Sequence, residues 1–185
     1  MQPTATSSTV KTYNIDEAHS TVRFWVKHMM ISKVHGELHD VTGTVRYDEA
    51  NPAQSEVDVK IKVDSLTTKQ EQRDAHLKSD DFLNADQFPL ITFKATSVKP
   101  TGDGEFEIVG DLTIRDQTRP VTFQAEVSPE IKNPMGEGYK VGVSARGEIN
   151  REDFNVTWNM ALETGGFVVG KDIHFEIDLE LDRMA

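Results

Sequence analysis

Six histidines, in a chain with no cysteine, are the side chains best suited to metal or proton chemistry, and His28, His35 and His39 fall within twelve residues. Imidazoles so clustered raise a zinc or related site, in which a bound metal would activate water for hydrolysis. Strand geometry opposes that reading. His35 and His39 are four residues apart, about 13 Å along one face of a strand, whereas two imidazoles sharing a zinc each approach it to about 2 Å. Only a bend or bulge between them would bring them together. His28 has the parity of Phe24 and Val26 and is expected to point inward, while His35 opposes Val34, Gly36 and Leu38 and is expected to point out. The plain reading makes His28 a hydrogen-bonded polar residue near a barrel end, with no metal and no catalytic residue assigned. A metal-assisted hydrolase using His28 and nearby groups is the enzymatic alternative.

Other reactive patterns are missing. The sequence has no G-x-S-x-G elbow, H-E-x-x-H pair or Walker loop, and no G-x-G-x-x-G opening a helix. Asp80-Asp81 and Glu152-Asp153 are adjacent acids at loop positions, which suits helix caps or solvated charge. Without cysteine there are no disulfides, thiolate metal sites or thiol nucleophiles. The 185 residues carry 31 acids against 20 bases, a net charge of −11 that repels phosphate backbones and anionic lipid surfaces. Nucleic acid is therefore not expected as a partner.

The elements that must position these residues alternate with period 2. From Asp172 to Asp182 the alternation is unbroken and sets Ile173, Phe175, Ile177, Leu179 and Leu181 on one face. Residues 22–28, 57–63 and 106–114 share the rhythm, and further strands are read at 34–47, 90–98, 120–128 and 139–149. Turns at Gly102-Asp103-Gly104 and Asn133-Pro134-Met135-Gly136 mark hairpins. Eight sequential antiparallel strands, each apolar on one face, must form a sandwich or close on themselves, and strands of about ten residues favour a tilted barrel. The fold class is all-β. Residues 1–12 read as a flexible tail without the features of a secretory signal, and residues 13–185 as one domain. The chain as given is expected in the cytoplasm, or in the periplasm if it is a processed form. No apolar run approaches the about 20 residues of a spanning helix.

Two segments break the alternation. Thr68-Lys69-Gln70-Glu71 has the form of a capping box, which predicts a helix through Arg73, Ala75 and Leu77 resting across one barrel end, with Leu77, Phe82 and Leu83 turned inward. Residues 151–170 form a long connection in which Phe154, Trp158, Met160, Leu162 and Phe167 are apolar enough to fold over an opening. Inward parity then gives the lining. Val22, Phe24, Val26 and His28 come from one strand, Phe93 from another, Phe106, Ile108 and Leu112 from a third. Phe123, Tyr139, Val141, Phe175 and Ile177 complete it. An eight-stranded barrel is just wide enough to be filled by side chains or to hold one ligand, so a filled barrel acting as an interaction module stays open beside a ligand-bearing one. Trp25 has outward parity between Arg23 and Lys27, and a ring of that size asks for cover by the helix or by a second subunit, which raises a homodimer.

Ile15-Asp16-Glu17-Ala18-His19-Ser20, then Phe24-x-Val26-x-His28, Ser65-Leu66-x-Thr68 and Arg73-Asp74-Ala75-His76-Leu77-Lys78-Ser79-Asp80-Asp81-Phe82 closely resemble the YceI-like family. So do Gly110-Asp111-Leu112-Thr113-Ile114, Asn150-Arg151-Glu152-Asp153-Phe154 and Val169-Gly170-Lys171-Asp172-Ile173. The resemblance implies a lipocalin-like eight-stranded antiparallel barrel whose interior holds a long isoprenoid, a quinone-like amphiphile or a similar lipid. It implies lipid binding or transport without catalysis, no cofactor beyond that ligand, and export in many members. Asn155 stands where the family usually has Gly. For a phosphate or quinone head the candidates are Arg73, His76 and Arg151, with Phe82, Phe154, Trp158 and Phe167 as lid residues. The competing role for Arg73 and Arg151 is to pair with Asp74, Asp81 or Asp153 and hold the lids in place.

Overall fold

Strands follow from the alternation because each needs apolar residues at only every second position to bury one face. The computed structural model describes residues 10–184. Its elements are β1 (Val10–Ile15), β2 (Thr21–His28), β3 (Ser32–Leu38), β4 (Val41–Asp48), β5 (Glu56–Lys62), α1 (Glu71–Lys78) and β6 (Leu90–Gly102). After these come β7 (Glu105–Ile114), β8 (Gln117–Val127), β9 (Ile131–Lys132), β10 (Tyr139–Asn150) and β11 (Val169–Arg183).

All pairings are antiparallel and the sheet closes on itself. β1 and β2 act as one kinked stave, both lying along β11, with Ile15 opposite Leu181 and Phe24 opposite Phe175. β3 and β4 form the next stave, β3 against β2 and β4 against β1. The order then continues through β5, β6, β7, β8 and β10, and the long β10–β11 ladder returns to β11. The result is the expected eight-stave barrel. β9 is a two-residue strand beside the start of β10.

The single strand expected at 34–47 is two. The chain turns at His39–Asp40, where the Val41 amide donates to the His39 carbonyl at 2.8 Å, so the run changes neighbours there while Val41 stays fully buried. Three residues expected in the tail are strand instead: Val10, Lys11 and Thr12 pair with Asp48, Tyr47 and Arg46. Residues 1–9 lie outside the described residues. The helix begins at Glu71, and its N-cap is Gln70, whose side chain accepts from the Arg73 amide. Thr68 is unavailable for that role. Buried to 8% exposure, it engages Asp74 and Arg73 through its hydroxyl instead.

At one end of the barrel lie the 102–104 turn, the 128–138 loop and the C-terminal end of β11. At the other lie α1, the loop after it, and residues 151–168. Leu66, Phe82, Ala85, Phe154 and Val156 are buried at this second end and join the barrel core, with Leu77 and Leu83 packed against them. Burying side chains of this size contributes about 1.5–3 kcal/mol each, which compensates a helix too short and too polar to form alone.

Candidate functional site

Three glycines shape the interior. A Cβ on Gly36 would fall 2.3 Å from the Phe24 ring, one on Gly110 2.4 Å from the Phe93 ring, and one on Gly147 2.6 Å from the Phe123 ring. Each glycine has inward parity on a strand next to its phenylalanine, so the ring lies down against the wall in the space a side chain would take. Phe93 meets Phe123 edge-on at 5.3 Å, and Phe123 is 6.5 Å from Phe175. The rings form a lining that runs around the barrel. Sequence reading named the phenylalanines and not their glycines, although an inward glycine inside a strand is the signal for such a close approach.

The lining splits into two groups. Val22, Leu112, Phe123 and Val141 are buried, at 3%, 5%, 7% and 6% exposure. Phe24, Val26, His28, Phe93, Phe106, Ile108, Tyr139, Phe175 and Ile177 are only half-buried, although parity directs them to the enclosed face. Of these, Phe24, Phe93, Phe175 and Ile177 pack against the buried core cluster. Tyr139 lies at the end away from α1, beneath the Arg183 guanidinium at 4.2 Å. His28 ends β2 opposite Ser32 and Val169.

The expected head-group residues are occupied elsewhere. Arg151, 3% exposed, donates to the carbonyls of Val156 at 2.6 Å, Gly170 at 2.8 Å and Val169 at 3.4 Å. Burial pushes its guanidinium below the usual arginine range, with Glu152 opposing. It pairs with none of the acids considered for it, and holds the two ends of the lid segment together. Arg73 donates to the hydroxyl and carbonyl of Thr68 rather than to a carboxylate. Asp74 accepts from Thr68 and Thr67; burial would raise its pKa, but these bonds hold it below the usual carboxylate range. His76 is 2.8 Å from Asp81 and meets Phe82 and Trp158 edge-on at 5.0 and 4.8 Å. Phe154, 1% exposed, is a plug in the core of that end. Phe167, 47% exposed, is on the surface of the lid, which Asn159 anchors through both the amide and carbonyl of Val169.

One group of possible metal ligands lies among the described residues, and it excludes the proposed histidines: Asp16, His19 and Glu180. Lys140 already supplies its cation, with Nζ 3.2 Å from Asp16, 2.5 Å from Glu180 and 2.7 Å from Asp182. Lys140 is held above the usual lysine range by Asp182 and Glu180, and Asp16 below the usual carboxylate range by His19. His35 and His39 do not join His28; His39 pairs instead with Glu37 at 3.3 Å. Trp25 is covered within the chain, stacked on His174 at 3.6 Å with Lys33 Nζ 3.7 Å from its ring centre. It therefore gives no ground for a homodimer. Outside the wall, Thr67–Lys69 overhang β2 and β3, tied to Glu37 by two 2.9 Å backbone bonds, and leave a cleft of about 240 Å³ bordered by Arg23, Trp25, His35 and Glu176.

The YceI-like domain matches residues 13–181, nearly the whole of the described barrel. The chain belongs to the YceI-like family. A UPF0312 protein of Staphylococcus aureus strain N315 is 41% identical over 168 residues, covering 91% of this chain and 95% of the relative. The barrel resembles BcnA of Burkholderia cenocepacia, with a TM-score of 0.77 at 22% identity over 90% of this chain and 98% of that one. It also resembles a polyisoprenoid-binding domain of Saccharophagus degradans, with a TM-score of 0.68 at 12% identity over 92% and 98% of the two chains. At such identities the likeness is one of fold. In this YceI-like barrel Asn155 keeps the turn that glycine would make: its φ is 58° and ψ 22°, a left-handed conformation that asparagine tolerates better than other side chains.

Proposed function

We propose that this protein binds the apolar chain of an isoprenoid or similar long amphiphile inside its barrel and carries it without chemical change. The observation that carries this reading is the inward aromatic lining that remains half-exposed, with Phe24 and Phe93 laid flat over Gly36 and Gly110. A wall built that way presents a mainly apolar surface, with the polar groups of His28 and Tyr139 near its two ends. The structural likeness to a domain described as polyisoprenoid-binding supports the same ligand class. The energetics suffice: at about 0.8 kcal/mol per methylene, about ten chain carbons supply roughly 8 kcal/mol before ordering costs.

Head-group selectivity would come from the mouth. Arg73 and Arg151 are engaged in holding the Thr67–Lys69 segment and the lid, so the tail dominates affinity. Organic extraction of the purified protein followed by mass spectrometry tests the reading. Release of a stoichiometric long-chain amphiphile is expected, and an empty extract together with failure to take up any polyprenyl lipid would sink it.

A further inference from the structure

The turn between β2 and β3 breaks two local rules at once. The Ile31 amide donates to the His28 carbonyl at 3.1 Å, and the two residues between, Met29 and Met30, both have positive φ, 50° and 61°. This is the geometry for which Asn-Gly is the usual solution. Each left-handed non-glycine residue costs about 1–2 kcal/mol. Met29, Met30 and Ile31 are also exposed, at 41%, 54% and 84%. Apolar side chains thus project into solvent from a backbone that disfavours them.

The turn does not stand alone. The Met29 amide donates to the Val168 carbonyl at 2.7 Å, and Gly166 of the lid lies against Met30. The lid adds Met160 and Phe167, 58% and 47% exposed. One apolar edge therefore crosses from the hairpin to the lid. Immediately behind it, Lys27 and Lys33 face each other across β2 and β3, and Lys171 stands on β11 beside them, next to Gly170, which packs on Lys27. Three lysines on three neighbouring strands thus stand behind the apolar edge, in a chain whose net charge is −11, with Lys33 Nζ also 3.7 Å from the Trp25 ring centre. Glu152 offsets one of them, lying 2.8 Å from Lys171.

We propose that this edge docks on the surface of a phospholipid bilayer. The methionines, Ile31 and Phe167 enter the interfacial region, and the lysines meet the headgroup phosphates one step behind. The charge pattern fits a zwitterionic surface: its phosphates lie within reach of the lysines, and it carries no net charge to oppose the acidic remainder of the molecule. Methionine suits the task, since its unbranched thioether adapts to irregular surroundings. The inference rests on the carrier reading for its purpose, because the docked edge includes the lid over the barrel. Its test does not depend on that reading.

Flotation of the full chain with phosphatidylcholine vesicles is the experiment, run beside extraction of bound lipid from the same samples. Wild type is expected to float with the vesicles. Ile31→Asp is expected to lower the vesicle partition coefficient about tenfold or more, the cost of losing one buried aliphatic side chain and inserting a charge. Met29→Asn with Met30→Gly is expected to lose flotation while gaining thermal stability, because the turn then carries the residues its backbone favours. Bound-lipid content should be unchanged in both. Wild type that stays at the bottom, or variants that float as wild type does, overturns the proposal. So does concentration-dependent dimerisation that the variants abolish, which would make a second copy the occupant. An empty extract with flotation intact would remove the carrier reading and leave docking standing.

Discussion

Glu130 shows how much one side chain can hold at a barrel end. Its carboxylate accepts from Arg183 at 2.9 and 3.0 Å and from the Tyr13 hydroxyl at 2.6 Å, with Lys11 at 3.5 Å, so one acid ties β11 to β1. The Arg183 bonds hold the Glu130 pKa down at about 2, against 4.5 ordinarily, while burial and the Glu130 bond keep Tyr13 protonated well above the usual phenol range. A depressed carboxylate stabilises the fold above its unfolded pKa, and that contribution is lost as pH falls from about 4.5 toward 2. Glu130→Gln is therefore expected to cost about 2 kcal/mol at neutral pH in urea unfolding. The difference from wild type should close as the pH approaches 2, and a gap that stays constant with pH would show that charge is not the cause. Gly36 makes a second residue-scale point, since the three nearest atoms to its absent Cβ all belong to the Phe24 ring. Gly36→Ala should leave the fold intact and push Phe24 into the lumen. The expected reading is weaker uptake of the longest polyprenyl chains with short chains unaffected; uniform loss across lengths would mean the wall itself had been disturbed.

At the scale of elements the lid depends on Arg151. Its guanidinium, buried without a carboxylate, bonds carbonyls on both sides of residues 157–168 and so fixes a segment that is otherwise mostly irregular. Arg151→Met preserves much of the bulk and leaves the Val156 and Gly170 carbonyls without these donors, an expected cost of about 3 kcal/mol. Amide exchange in residues 156–168 should quicken before the rest of the barrel; equal quickening everywhere would make Arg151 a general core residue. Much of this scale was legible in the sequence. Period-2 runs gave the staves, and the apolar content of Phe154 and Trp158 marked the segment that closes one end. What escaped depends on contacts distant in sequence. Nothing local announces that Val10–Thr12 will pair with Arg46–Asp48, or that Val41 will need a corner at His39. The Thr68 capping signal failed because Asp74 and Arg73 compete for the same hydroxyl. Arg151 looked like a head-group ligand because sequence reveals its charge and not the carbonyls that surround it.

For the whole molecule, the separation of charge from apolar surface decides what the barrel can select. Acids such as Glu107, Asp111, Glu126, Asp178 and Glu180 alternate outward along β7, β8 and β11, opposite the inward Ile108, Leu112, Ala125, Ile177 and Leu179. Arg183, at the end of β11 over Tyr139, is a charged side chain with inward parity on these strands, and its guanidinium is engaged by Glu130. Discrimination then falls to how much tail the lumen can bury. Each added methylene should strengthen binding by about 0.8 kcal/mol, close to fourfold in Kd, until the lumen is full. Beyond that length further carbons remain in water and the gain stops. Titration with a series of amphiphiles sharing one head is expected to give a straight rise in binding free energy followed by a plateau. Exchange of the head at fixed length should shift the line by less than its rise. Binding that follows the head and ignores the length would place recognition at the mouth, and the aromatic wall over Gly36 and Gly110 would then be core packing alone.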